Sequence, residues 1–106
     1  MNLDEFRASL SHTEPLPSLD LALQTLWWEA KGDWKKAHAC AQEEATPTGA
    51  RVHAYLHRVE GDLSNAGHWY KRADRSPATG TLAEEWHSLA SELLARGEFN
   101  CRKQGG

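Results

Sequence analysis

Trp28-Glu29-Ala30-Lys31-Gly32-Asp33-Trp34-Lys35-Lys36-Ala37 and, 29 residues later, His57-Arg58-Val59-Glu60-Gly61-Asp62-Leu63-Ser64-Asn65-Ala66 carry the same punctuation. Each holds a Gly-Asp pair, an apolar residue directly after it, and an alanine four residues past the Asp. Glycine tolerates the positive φ that ends a helix, and an aspartate side chain can accept from the free N–H groups that begin the next one. Each stretch therefore predicts a helical hairpin. A turn this tight forces antiparallel neighbours, and an alanine one turn into the second helix lets the two backbones approach closely.

Apolar spacing extends both hairpins. Leu19, Leu23, Leu26 and Ala30 recur at helical intervals over residues 19–31, and Leu21, Ala22, Trp27 and Trp28 widen the stripe until that helix should sit centrally. The next helix, 34–45, has a small face of Ala37, Cys40, Ala41 and Ala45. Thr46-Pro47-Thr48-Gly49 reads as a break, after which Val52, Tyr55, Leu56 and Val59 mark a helix over about 50–60. Ala66, Trp69, Tyr70 and Ala73 lie on one side of its partner, and a loop around Pro77 follows.

At the ends, Asn2 with Glu5 and Thr81 with Glu84 have capping-box spacing, the second leading a helix with Leu82, Trp86, Leu89, Ala90 and Leu93 that should stop at Gly97. Pro15 and Pro17 mark a connector, and Ser18 is the expected cap of the helix after it. No stretch alternates with period two over a useful length. The expectation is an all-α chain of about five short antiparallel helices in a single domain, residues 1–106: an N-terminal helix 1–12, hairpins 18–45 and 49–73, a C-terminal helix 81–97 and a polar tail 98–106.

Composition narrows the function classes. A chain of 106 residues can bury one core without a disulfide or metal. Five tryptophans against two phenylalanines and one methionine make the indoles the side chains to follow. A net charge of −3 with acids and bases interspersed offers no basic stripe for a phosphate backbone, so no nucleic-acid partner is expected. The longest apolar stretch, 19–28, is interrupted by Asp20, Gln24 and Thr25, and no membrane span is expected. With only Cys40 and Cys101, and with Asp4 and Glu5 where a secretory signal would be basic and then apolar, a cytoplasmic location is expected.

The hairpins resemble the tetratricopeptide family of helical repeats over residues 19–77. Gly61-Asp62-Leu63, Ala66, Tyr70, Ala73 and Pro77 follow that family's turn, small residue, aromatic, small residue and proline, with the proline one position early. His53 and His57 stand where the family has large apolar residues; Ala41 and Glu44 replace an aromatic and an alanine in the first copy. The offset of 29 residues is shorter than the roughly 34-residue family period. The resemblance implies a non-catalytic module that binds a protein or peptide, self-association included, on a concave face. On this register that face would present Leu26, Glu29, Arg51, Tyr55 and Arg58.

The residues themselves suggest an alternative from another class, a small-molecule or metal-binding regulator. His53, His57 and Glu60, four and then three apart, put two imidazoles and a carboxylate along one helical face, a spacing that permits a metal. They lack a metalloprotease His-Glu-x-x-His order and a fourth ligand, and a half-buried His pair accounts for the same pattern, so the leading expectation assigns no metal and no cofactor. No catalytic site is expected either. His38 and Cys40, two apart, do not face each other on a helix, and Glu43-Glu44 and Glu84-Glu85 split across faces. Trp69 and Trp86 should belong to the core; one of Trp27 and Trp28 should be exposed. Lys71, Arg72 and Arg75 sit near a helix C-terminus, where cations favour the helix dipole.

Overall fold

The computed structural model describes the backbone of residues 1–105 and the side chains of residues 1–96. The chain forms α1 (Leu3–Ala8), continued by a 3-10 turn at Ser9–Ser11, then α2 (Leu21–Ala30), α3 (Trp34–Glu43), α4 (Pro47–Val59), α5 (Leu63–Arg72) and α6 (Leu82–Gly105). Among the described residues there is no strand. The all-helical expectation holds, with six helices among the described residues where about five were expected: the N-terminal helix, the two helices of each hairpin and the C-terminal helix all form.

The two Gly-Asp turns are the same structure built twice. Gly32 and Gly61 have φ of +85° and +87°, a region nearly closed to side chains with a Cβ. In the first turn the N–H of Gly32 donates to the Glu29 carbonyl and that of Asp33 to Trp28; in the second, Gly61 donates to Arg58 and Asp62 to His57. These paired bonds satisfy carbonyls that the ends of α2 and α4 leave free. The aspartates then turn round and cap the next helix, Asp33 accepting from Lys36 N–H and Asp62 from Asn65 N–H. Ala37 and Ala66 are both buried at the resulting crossings.

Three boundaries differ most from the sequence reading. α2 is capped by Asp20, which accepts from Leu23 N–H, and Ser18 lies outside it. α4 begins three residues early because Thr46-Pro47 starts a helix here: Thr46 accepts from Gly49 N–H, and Pro47 occupies the first turn, where a missing N–H costs nothing. Gly49 is needed for a different reason, since a Cβ there would stand 1.8 Å from the Glu44 carbonyl oxygen. The capping boxes at Asn2/Glu5 and Thr81/Glu84 form as expected. α6 runs through Gly97 to Gly105; an interior glycine costs about 1 kcal/mol against alanine, and ends a helix only by turning left-handed. The side chains of the expected tail, Cys101 included, lie outside the described residues.

α2, α4 and α6 share one core of Phe6, Leu23, Leu26, Trp27, Val52, Tyr55, Leu56, Trp86, Leu89 and Leu93. Its large rings are tolerated because their polar edges find partners: Trp27 Nε1–H donates to Ser9 Oγ and Trp86 Nε1–H to the Leu26 carbonyl. Of the adjacent pair, Trp27 is fully buried, while Trp28 is half-buried with the Lys36 ammonium 4.3 Å from its ring centroid. No helix among the described residues is long and apolar enough to cross a membrane.

α6 lies across the face where a partner was expected. Its Glu92 pairs with Arg51, and its Glu85 pairs with Arg58 at 2.9 Å. Leu26 and Tyr55 are buried beneath it. The chain's own last helix thus pairs with Arg51 and Arg58 of the expected concave surface and shares the core with Leu26 and Tyr55.

Candidate metal centre

The turn joining α3 to α4 is short, so positions about equally far from residues 44–46 come level across it. Trp34 meets His57, with ring centroids 6.0 Å apart, and His38 meets His53 at 4.6 Å. His53 and His57, one turn apart on α4, stack at 5.0 Å with planes 17° apart. Three imidazoles from two helices thus converge. One ligand-capable atom from each of His38, His53 and His57 lies within 4.8 Å of the other two, and the Nε2 atoms of His38 and His53 are 2.9 Å apart.

Indoles enclose the cluster. Trp34 stacks on His38 at 4.7 Å and fixes itself by donating Nε1–H to the Leu56 carbonyl at 3.0 Å. Trp69 of α5 stacks on His53 at 3.8 Å, and the Arg72 guanidinium lies 4.8 Å from the Trp69 centroid. His53 and His57 are buried and His38 is half-buried.

Hydrogen bonding bears on which nitrogen of each ring can ligate. Glu60 Oε1 is 2.6 Å from His57 Nδ1. A carboxylate there holds the proton on Nδ1 and leaves Nε2 with its lone pair, the arrangement by which outer carboxylates orient metal-binding histidines. Between His38 and His53 one Nε2 can donate to the other, or both can present lone pairs to one cation. Burial, then His38, His57 and Arg72, pushes His53 down to about 4. Burial and His57 also lower His38, against a smaller opposing effect of Glu60. Both rings are therefore neutral, and able to ligate, at neutral pH.

Of the residues singled out in the sequence, His53 and His57 are brought together, and Glu60 supports His57 from outside the three-imidazole cluster. His57, Glu60 and Asp62 form a second close group, but Asp62 is committed to capping α5. His38 was missed; the signal was its register across the turn from His53. Cys40 is half-buried, and burial with Glu43 pushes its thiol up, away from the thiolate a nucleophile needs. Trp69, assigned to the core, is a half-buried wall of the cluster. Glu29 and Tyr55 remain together on another face, Tyr55 Oη donating to Glu29 Oε2 at 3.2 Å.

A scan against protein-family models and searches of curated proteins and of solved structures return no match.

Proposed function

We propose that this protein is a helical metal-binding module that takes one divalent first-row transition-metal ion of the zinc class at His38, His53 and His57. The reading rests on one observation, the convergence of three imidazoles from α3 and α4. Two nitrogens each about 2.0–2.1 Å from one ion, roughly 90–110° apart, are separated by about 2.9–3.4 Å. The His38–His53 separation of 2.9 Å falls at the near edge of that range. His57 would complete the set through Nε2 by imidazole torsion, with Glu60 behind it. Imidazole nitrogens suit zinc, copper and nickel better than calcium or magnesium.

Protein or peptide docking on the face of Leu26, Glu29, Arg51, Tyr55 and Arg58 is less well supported, since α6 leaves only the end near Glu29 and Tyr55 open.

The test is isothermal titration of chelator-stripped full-length chain with Zn2+. One ion per chain is expected, with His38→Ala and His53→Ala each abolishing the high-affinity event. Absence of stoichiometric binding of Zn2+, Ni2+ and Cu2+ would reduce the cluster to a hydrogen-bonded histidine network.

A further inference from the structure

On another face of the molecule, α6 does not close completely over α2 and α4. A groove of about 510 Å³ remains, lined by Arg7, Leu10, Glu29, Tyr55, Leu82 and Trp86. That volume lies within the range of small-ligand sites, about 300–1,000 Å³. Leu82 is among the few large apolar side chains that stay exposed.

The charges around the groove are unequal in their partners. Glu85 is neutralised, accepting from the Arg58 guanidinium and from Tyr70 Oη. Among the described residues, half-buried Glu29 has only the Tyr55 hydroxyl as a partner. Burial holds its carboxyl above the ordinary value, the Tyr55 bond opposes this, and no cation acts on it to bring it down. Arg7 lines the same groove with its guanidinium 5.9 Å from the Trp86 ring centroid and 3.3 Å from His87 Nδ1, and it makes no ion pair with Glu29 among the described residues. A half-buried carboxylate without a counter-charge is costly, and a cation that follows it out of water removes much of that cost.

We propose that this groove binds a small amphiphilic primary amine, its ammonium on Glu29 and its apolar body along Leu10, Leu82 and Trp86. Three donors on an ammonium can meet the Glu29 carboxylate while Tyr55 keeps its own bond to it, and indole and leucine surfaces take up an aromatic or alkyl tail. The site shares no residue with the histidine cluster.

Full-length protein titrated with 2-phenylethylamine, followed by NMR shifts of the tryptophan indole N–H signals, tests this. Saturable shifts of Trp86 are expected, with binding weakened at least tenfold in Glu29→Gln, which keeps an acceptor for Tyr55. 2-Phenylethanol, which lacks the ammonium, should bind at least tenfold more weakly than the amine. His53→Ala should bind the amine as the wild type does, whatever the outcome at the metal centre. No saturable shift at millimolar amine, or equal affinity for the alcohol or in Glu29→Gln, would overturn the assignment.

Discussion

His38 and His53 stand level across the α3–α4 turn with their Nε2 atoms 2.9 Å apart, so a contact between two chemically reactive side chains also ties together the two hairpins. An ion held there with His57 would depend on Glu60, whose carboxylate is 2.6 Å from His57 Nδ1. Outer partners of this kind are worth about 10–100-fold in metal affinity. Glu60→Gln should therefore lower Zn2+ affinity by about 10–100-fold and leave the stoichiometry unchanged, as read by chelator competition. Glu60 is exposed, so the metal-free melting temperature should barely move.

The metal-free cluster predicts a pH dependence with a definite sign. His53 ordinarily titrates near 6.5 and is pushed down to about 4 in the fold. Between those values the unfolded chain binds a proton that folded His53 refuses. Its contribution is thus fully present above about pH 6.5 and is lost as the pH falls toward 4. The groups facing it are His38 from α3, His57 from α4 and Arg72 from α5. Denaturant melts in chelator at pH 7, 6 and 5 should show stability falling by up to about 1.4 kcal/mol per pH unit from this site. His53→Gln should lose that component; identical pH slopes in the two proteins would rule it out.

Gly49 supplies a steric test of the α3–α4 turn. Replacement by alanine would ordinarily help an α-helix by up to about 1 kcal/mol. Here the added Cβ would stand 1.8 Å from the Glu44 carbonyl oxygen, which is backbone and cannot rotate away. The chain would have to shift where α3 gives way to α4. Gly49→Ala should destabilise by about 1–3 kcal/mol, measured from the urea midpoint. A midpoint at or above wild type would mean that the turn relaxes freely.

Helix ends were legible in the sequence because capping chemistry is local: Gly32-Asp33, Gly61-Asp62, Asn2/Glu5 and Thr81/Glu84 act within one turn of themselves. Two of the three clustered imidazoles were legible for the same reason, since His53 and His57 are one turn apart. His38 comes from a different helix, and finding it required the register across the turn. Thr46-Pro47 was read as a break when it was the start of α4, and that obscured the register. The covering of the expected partner face had a signal too. Arg51 and Arg58 are seven residues apart, as are Glu85 and Glu92, and the two sets meet in reverse order along α4 and α6.

Those two ion pairs differ in depth, and that difference yields a last prediction. The Arg58–Glu85 side chains are only 16% and 9% exposed, and Arg58 also donates to the Gly80 and Thr81 carbonyls, tying the start of α6 to α4. The Arg51–Glu92 pair has its carboxylate 40% exposed, with Arg75 at 3.6 Å as a second cation. Removing one member of a buried pair strands the other, whereas an exposed carboxylate is rescued by water. Arg58→Ala should thus cost about 2–4 kcal/mol, discounted from a fully buried pair, and Arg51→Ala about 0–1 kcal/mol. Adding Glu85→Gln to Arg58→Ala removes the stranded charge and should recover part of the loss, giving a coupling of about 1–3 kcal/mol in a double-mutant cycle. Equal costs for the two arginines, or strictly additive behaviour of Arg58 and Glu85, would mean that solvent reaches the inner pair and that α6 is held by its apolar face alone.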